Sequence, residues 1–366
     1  MGTNRFIHFC IKGLEKTYLP SENLFSASRQ LVCDRMEYFR DRRHEYRFTM
    51  NALMGLQKAK TQGYEIFLDI EADYHRMAQR VHEMADSPED IAATAWTGRT
   101  IGTTIPQSAA SLFHSLLNAA PNVRNLTAKA LAWMIIACVT GDKAYQVRAH
   151  DLVKLAESKY IHDETGLVRE HITGIRRNWS SFGANAYIAY ALLLYGRQTG
   201  DDAAIDKGLL IVRKLVELQG PDGQWGWMYH VPTGRIADFY PVYSVHQYAY
   251  APFFLLEAID LGHSAFREPL IHGFRWIFGH NEMDETMVDP KHHIVWRRVF
   301  RGGLNAKLVK IFRGIAVVQF GINADIAKPG HIQIDRQCWG FEMALPLCVF
   351  SGRDDFSEIL DDNCFA

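Results

Sequence analysis

Apolar residues recur along the chain at the spacing of helices that bury one face. Within residues 45–62, Phe48, Ala52 and Leu56 follow one another at intervals of four, which places them on one side of a helix. Gly63 comes directly after this segment, where a glycine often ends a helix. The pattern predicts a helix here and a short turn to the next one.

The same spacing continues to near the C terminus and predicts pairs of helices joined by short turns. Two of these turns have the sequence Thr-Gly-Asp, at 140–142 and 199–201, and the repeat period is about 60 residues. Two helices per repeat are typical of an array of αα-hairpins. The predicted helices are 45–62, 66–84, 88–97, 107–118, 125–139, 142–158, 183–198, 201–218, 245–261, 264–279 and 339–350.

Connections between the hairpins are predicted to be long, at 159–182, 219–244 and 280–332. In an array of hairpins these loops lie together at one end, and long ordered loops commonly carry function. Alternation over Trp225–Tyr229 and a turn at Val231–Gly234 predict a small β-hairpin among them. We therefore expect an all-α fold, an (α/α) toroid or barrel of about six hairpins, with a pocket at the mouth that holds the long loops.

Composition and charge exclude some classes of protein. The chain has 366 residues, 48% hydrophobic and 22% charged, and a net charge of −1, so it lacks the basic excess of nucleic-acid-binding proteins. Its longest strongly apolar stretch, Ala128–Val139, is too short to span a bilayer. Without a signal-peptide pattern, we expect a cytoplasmic protein with an N-terminal extension over 1–44 and one toroid domain over 45–366.

Metal and cofactor motifs are not found in the sequence. His292 and His293 are adjacent, so their side chains diverge, and neither His-Glu-x-x-His nor a Cys-x-x-Cys pair occurs. Phosphate-binding glycine motifs are missing, and Ser180-Ser181 lack a nucleophile elbow. We expect the six cysteines to be reduced thiols, and we predict no metal and no cofactor.

The long loops contain two alternative sets of catalytic candidates. Glycoside hydrolysis uses a pair of carboxylates, for which Glu170 and Asp238 are the leading candidates. Lyases and epimerases need an acid and a base instead, and Tyr243 and His246 fit those roles. His246 lies in the first turn of a predicted helix, whose N terminus would lower its pKa and favour a neutral base.

Aromatic, amide and cationic side chains in the same segments are candidates for substrate binding. Aromatic rings can stack on flat ligand surfaces, and arginine or asparagine can neutralise a carboxylate. The predicted substrate-binding residues are Asn178, Trp179, Trp227, Tyr229, His230, Tyr240, Gln247, Arg297, Arg336 and Trp339.

Residues 207–225 contain Gln219-x-x-x-Gly223-x-Trp225, which resembles the QW motif of squalene and terpenoid cyclases. In those enzymes the motif ties one helix end to the next helix. The helix-end pattern is also similar to six-hairpin glycosidases, polysaccharide lyases and uronyl epimerases, which are all α/α toroids. The resemblance therefore implies the toroid fold more strongly than any one activity.

Departures from the cyclase pattern weaken a terpenoid assignment. The string Asp69–Asp73 does not match the Asp-x-Asp-Asp acid of protonating cyclases, and one good QW copy is found. The segment Tyr240–Gln247 is also similar to bacterial toroid proteins associated with polysaccharide biosynthesis. We expect a carbohydrate-active enzyme, acting by hydrolysis or by lyase or epimerase chemistry on an oligo- or polysaccharide. A terpenoid-processing enzyme and a non-catalytic glycan-binding or scaffold toroid are the alternatives, and the oligomeric state is left open.

Overall fold

A computed structural model describes residues 4–122, 126–302 and 306–366. The chain forms two compact units. Unit 1 comprises Met1–Ala119, Met287–Arg297 and Arg336–Ala366, and unit 2 comprises Ala120–Thr286 and Arg298–Asp335. No helix in the described ranges is both long enough and apolar enough to cross a membrane.

Helices dominate both units and are accompanied by short antiparallel strands. A π-helical turn, His246–Tyr250, leads directly into one of the helices. The helices are α1 (Arg5–Glu15), α2 (Arg42–Thr61), α3 (Ile70–Gln79), α4 (Val81–Met84), α5 (Pro88–Ile101), α6 (Gln107–Ala119), α7 (Ala128–Val139), α8 (Lys143–Leu155), α9 (Phe182–Thr199), α10 (Asp202–Glu217), α11 (Ala251–Asp260), α12 (Arg267–Arg275), α13 (Ala306–Phe320), α14 (Gly340–Phe350) and α15 (Ser357–Leu360). The strands are β1 (Tyr18–Leu19), β2 (Leu24–Phe25), β3 (Ser28–Val32), β4 (Arg35–Phe39), β5 (Trp179–Ser181), β6 (Met228–His230), β7 (Arg235–Asp238), β8 (Val242–Tyr243), β9 (Val288–Asp289), β10 (Ile294–Val295), β11 (Arg298–Arg301), β12 (Ile332–Asp335) and β13 (Gln337–Trp339).

Unit 1 is built around α2, which packs against α14 and α5, while α1 packs against α14. Most of α2 is buried, including Tyr46, Leu53 and Leu56. Gly55 allows the close approach of α14, because a Cβ atom at this position would collide with the carbonyl oxygen of Ala344. The absence of a side chain therefore sets the distance between these two helices.

We expect Gly55→Ala to destabilise unit 1 by about 1–3 kcal/mol, because the added methyl group overpacks the contact with α14. Urea unfolding measures the change. Gly330→Ala is the matched control, since a Cβ there meets nothing within 4 Å, and it should change stability by less than about 0.5 kcal/mol. Equal stability of Gly55→Ala and wild type would contradict the close-packing argument.

A three-stranded antiparallel sheet in unit 1 has the order β13-β3-β4. Its register pairs Trp339 with Ser28 and Gln337 with Gln30. Strand β4 ends at Phe39, shortly before α2 begins with Asp41 as its N-cap. The pairing thus brings Trp339 and Gln337, distant in sequence, to the first turn of α2.

Unit 2 contains the clearest helical hairpins. Helices α7 and α9 are buried on nearly all sides, whereas α10 buries one face; a helix that is apolar all round belongs in a core. Helix α9 packs against α7, α10 and α11. The two Thr-Gly-Asp turns join α7 to α8 and α9 to α10, and Asp142 and Asp201 cap the second helix of each pair.

The QW-like motif acts as a helix tie in unit 2. Gln219 Nε2 donates hydrogen bonds to the carbonyl oxygens of Gly223 (2.9 Å) and Pro269 (3.0 Å). These bonds connect the end of α10 to α12. Trp225 is fully buried and its ring stacks on Phe182, with the ring centroids 5.4 Å apart. The motif therefore has the structural role that its resemblance implies.

The segments between the helices of unit 2 contain two three-stranded sheets, with the orders β5-β6-β7 and β12-β11-β8. The β-hairpin predicted near residues 225–234 is present as β6 and β7, which pair in antiparallel fashion. In the second sheet, Arg298 lies opposite both Tyr243 and Asp335.

Helix α13 departs from the sequence prediction. Residues 280–332 do not form one long loop, because they include α13 and the strands β9, β10 and β11. Helix α13 buries Val317 but exposes Phe312, Ile315 and Phe320. The N-terminal 44 residues contain α1, which buries Phe6, Ile7 and other apolar residues, while the domain boundary at residue 44 stays a prediction.

Candidate functional site

Aromatic rings enclose His246 in unit 2. The ring centroids of Phe182, Tyr243 and Tyr250 lie 4.7, 5.2 and 5.2 Å from that of His246. Trp227 stacks nearly parallel to the imidazole, 6.0 Å away at an angle of 11°. Trp227, Tyr243 and Tyr250 are partly exposed, whereas His246 is buried. The cluster therefore forms an aromatic wall with an imidazole set into it.

Local structure explains how these residues come together. The helix begins at Ser244, and the π-helical turn that starts at His246 carries both His246 and Tyr250; such turns are frequent at functional sites. Phe182 is the first residue of α9, directly after the N-cap Ser181. Its backbone N–H donates to the carbonyl oxygen of Trp227 at 3.1 Å, which joins two parts of the wall.

Within the described ranges, Nδ1 of His246 is buried and has no hydrogen-bond partner. The same is true of Oε1 of the adjacent Gln247, whose Nε2 donates to the carbonyl oxygen of Tyr243 at 3.2 Å. A buried polar atom left without a partner costs about 1–3 kcal/mol. A bound molecule that donated a hydrogen bond to either atom would remove that cost, provided that the surrounding side chains moved to admit it.

Tyr243 is held by a chain of charged residues. Nη1 of Arg298 donates to the Tyr243 hydroxyl oxygen at 3.1 Å, and Nε of Arg298 donates to Oδ2 of Asp335 at 2.8 Å. The guanidinium also lies 5.5 Å from the centre of the Tyr243 ring. The same guanidinium therefore contacts both the hydroxyl and the ring of Tyr243 and fixes the position of its side chain.

His246 is neutral at physiological pH, and burial is the cause. Desolvation lowers its pKa from 6.5 to about 3. A lowered pKa of His246 is also predicted from the sequence, but there the helix N terminus is given as the cause instead of burial. A neutral imidazole with a free ring nitrogen can accept a proton or a hydrogen bond.

We expect His246 to make stability depend on pH in the acidic range. At pH values between about 3 and 6.5, the folded and unfolded pKa values of His246, the unfolded chain binds more protons at this residue than the folded chain does. The free energy of unfolding therefore falls as the pH decreases below about 6.5 and gains nothing from this group above it. Urea unfolding from pH 7 to pH 4 should show a smaller loss for His246→Gln than for wild type. An NMR titration that places the His246 pKa above 6 would contradict this.

Glu170, a predicted catalytic carboxylate, is half-buried and bound to the start of α9. Its Oε2 accepts hydrogen bonds from the hydroxyl (2.5 Å) and the backbone N–H (3.2 Å) of Ser181. Ser181 in turn caps α9 through the N–H of Ala184. Because Ser181 precedes Phe182, Glu170 is attached to the same chain segment that contacts His246.

Asp238, the other predicted carboxylate, is buried and forms an ion pair. Nη1 of Arg301 lies 2.5 Å from its Oδ1, and the backbone N–H of Tyr240 donates to the same oxygen at 3.1 Å. The guanidinium of Arg301 also lies 4.5 Å from the centre of the Tyr240 ring. Asp238 therefore holds Arg301 and Tyr240 in position.

The structure adds a carboxyl group that the sequence analysis did not select. Glu282 accepts a hydrogen bond from Nε1 of Trp276 at 2.8 Å, and Tyr240 is its neighbour. Burial raises the pKa of Glu282 above its usual value of 4.5. In the sequence, Glu282 is only an acidic residue in a predicted loop that also contains aromatic residues. That context does not indicate that its carboxyl group is buried.

Other predicted substrate-binding residues of unit 2 differ in exposure. Trp179 and Asn178 are partly exposed, and the Trp179 ring lies 5.0 Å from that of His230. His230 is buried, with Nδ1 3.0 Å from the Thr233 hydroxyl, and burial lowers its pKa. Tyr229 is fully buried, so its side chain offers no exposed surface to a ligand.

Three predicted residues, Arg297, Arg336 and Trp339, belong to unit 1. The guanidinium of Arg297 lies 3.3 Å from the centre of the Trp339 ring. Arg336 is exposed, with its guanidinium 5.8 Å from the Trp296 ring. Within the part of the chain that the structure describes, no three His, Cys, Asp or Glu side chains are grouped so that they could hold a metal ion.

Comparisons with known proteins give a match in structure rather than in sequence. No protein-family model and no curated protein sequence matches the chain. An unsaturated glucuronyl hydrolase from a Bacillus species aligns over 96% of this chain and 95% of its own, with 12% identity and a TM-score of 0.58. A GH76A α-1,6-mannanase from a Salegentibacter species aligns over 96% and 98%, with 11% identity and a TM-score of 0.62. A sugar epimerase from a ruminal bacterium aligns over 94% and 96%, with 11% identity and a TM-score of 0.63.

The chain has the (α/α)-toroid fold. The predicted fold class is therefore confirmed. The structural neighbours include glycoside hydrolases and a sugar epimerase. At 11–12% identity these toroids establish the fold alone, and the chemistry has to be argued from the residues of this chain.

Proposed function

We propose that the toroid is a carbohydrate-active enzyme that transfers a proton at a sugar carbon, by epimerisation or elimination. Tyr243 and His246 are its acid–base pair. The observation that carries this proposal is the buried Nδ1 of His246, which lacks a partner among the described residues while partly exposed rings surround it. A neutral imidazole and a phenol with adjacent rings can act as base and acid on one substrate.

The surroundings support a sugar as the substrate. Trp227 and Tyr250 offer partly exposed ring faces, on which the apolar face of a pyranose can stack. The charged pair of Arg298 and Asp335 adjoins the same wall and can bind hydroxyl or carboxylate groups. These charges favour a sugar over an isoprenoid, which would need a wall without them.

Solvent-deuterium exchange tests the proposed chemistry. The enzyme is incubated in D2O with reducing sugars and with oligosaccharides that contain uronic acids. Proton transfer at carbon predicts that one C–H position acquires deuterium in NMR spectra, together with an epimer or an unsaturated product that absorbs ultraviolet light. Tyr243→Phe and His246→Gln should both abolish the exchange while circular dichroism shows a retained fold.

Hydrolysis is the second candidate, and Glu282 is the observation in its favour. A glycosidase needs one carboxyl group that is protonated and one that is ionised. Burial raises the pKa of Glu282, as a general acid requires, while Glu170 and Asp238 remain the proposed partners. New reducing ends that carry ¹⁸O from labelled water, without deuterium at carbon, would favour hydrolysis and overturn the proton-transfer proposal.

A further inference from the structure

Unit 1 contains a half-open cavity of about 250 Å³, whose lining includes none of the residues of the His246 cluster. Its volume is just below the range of ~300–1,000 Å³ that is usual for small-molecule sites, which suits one sugar unit better than a chain. Strands β3 and β13 and the first turn of α2 form its walls. Its lining residues include Gln30, Asp41, His44, Phe48, Gln337 and Trp339.

Trp339 provides a rigid aromatic surface in this cavity. Arg297 covers one face of the indole, and the Trp339 backbone N–H donates to Oε2 of Glu342 at 2.7 Å. The rings of His44 and Phe48 lie 5.4 and 5.6 Å from the indole ring. A partly exposed ring that is fixed in this way can stack on a sugar with little loss of side-chain entropy.

Asp41 and His44 form a polar pair at the edge of the aromatic surface. Nδ1 of His44 lies 2.8 Å from Oδ2 of Asp41, and this hydrogen bond lowers the pKa of the Asp41 carboxyl. In the tautomer in which Nδ1 donates to the carboxylate, Nε2 carries the lone pair. His44 Nε2 makes no hydrogen bond to another residue of the described ranges, so it can accept one from a sugar hydroxyl.

Each charged residue around the cavity has an oppositely charged neighbour. Arg40 binds Glu22 and Glu45 through hydrogen bonds of 2.6–3.1 Å. Arg297 lies 3.5 Å from Glu342, and Nε of Arg43 lies 3.7 Å from Oδ1 of Asp41. The amides of Gln30 and Gln337 lie on paired strands and add neutral hydrogen-bonding groups. This balance favours an uncharged ligand over an anionic or a cationic one.

We infer that the unit 1 cavity is a second carbohydrate-binding site, which takes one neutral hexose unit. Trp339 stacks on the sugar ring, and His44, oriented by Asp41, accepts a hydroxyl hydrogen bond. The inference rests on the proposed function only for the class of ligand. The inference makes no use of Tyr243 or His246, so the inferred site and the proposed function can fail independently.

Binding measurements with variants test the second site. Saturation-transfer NMR and calorimetric titration are run with mannose, glucose, N-acetylglucosamine and glucuronate as probes. We expect at least one neutral sugar to bind, and Trp339→Leu and His44→Gln to raise its Kd at least tenfold. Tyr38→Leu is the matched control, because Tyr38 is an exposed aromatic on the same sheet that does not line the cavity, and its Kd should stay at the wild-type value. Melting curves verify that each variant is folded.

The outcomes separate the second site from the proposed activity. Unchanged binding in folded Trp339→Leu and His44→Gln, or no binding of any neutral probe by wild type, overturns the second site. Loss of binding in Trp227→Leu alone also overturns it and leaves the proposed function standing. Loss in both unit 1 variants supports the second site, even if the D2O experiment detects no proton exchange. Trp339-dependent binding of glucuronate alone would overturn the assignment to a neutral sugar.

Discussion

Tyr243→Phe is expected to reduce kcat by about 10²–10⁴-fold, the usual contribution of general acid–base catalysis. The substitution removes the hydroxyl group that Arg298 binds at 3.1 Å and leaves the ring against Trp227 and His246. Because the aromatic wall is retained, KM should change little. Steady-state kinetics on the substrate found by the deuterium experiment measure both constants.

Tyr195→Phe is the matched control for this prediction. Tyr195 also belongs to unit 2, and its hydroxyl lies 2.9 Å from Nδ1 of His150, outside the aromatic wall. Its activity should equal that of wild type. If Tyr243→Phe retained full kcat, the hydroxyl would have no part in the chemistry, and the role of His246 as its partner would be lost as well.

The hairpins could be predicted because local signals agree with one another. The two Thr-Gly-Asp turns each supply an N-cap aspartate, and the periodic apolar residues on both sides specify the buried faces. Helix α13 was not predicted, although Phe312, Ile315 and Val318 recur at intervals of three residues, as on one side of a helix. These residues are exposed in the structure, so their spacing does not mark a buried face.

The candidate site could be predicted only in part. Tyr243, His246 and Trp227 were selected because aromatic and histidine residues cluster in one loop. Arg298 was not selected, since only the pairing of β11 with β8 brings it opposite Tyr243. Asp41 and His44 were missed as well, because β13 joins β3 across most of the chain length. Strand register between distant segments is a tertiary property, and one sequence does not encode it in a readable local pattern.

Removal of one partner of the buried pair between Asp238 and Arg301 is expected to cause the largest loss of stability. The two side chains are only 5% and 10% exposed. Arg301→Met leaves the Asp238 carboxylate buried without its cation, and this typically costs about 3–5 kcal/mol. Denaturant unfolding of the variant should therefore show a strongly lowered midpoint with an unchanged slope.

The double variant Asp238→Asn with Arg301→Met isolates the interaction. It removes both charges, so it should regain a substantial part of the stability lost in Arg301→Met, because an uncompensated buried charge costs more than a missing pair. The double variant also tests the roles assigned to carboxylates. If Asp238 only positions Arg301 and Tyr240, the folded double variant should keep measurable turnover, whereas a catalytic carboxylate at this position predicts complete loss. A double variant no more stable than Arg301→Met would show that the ion pair contributes through packing rather than through charge.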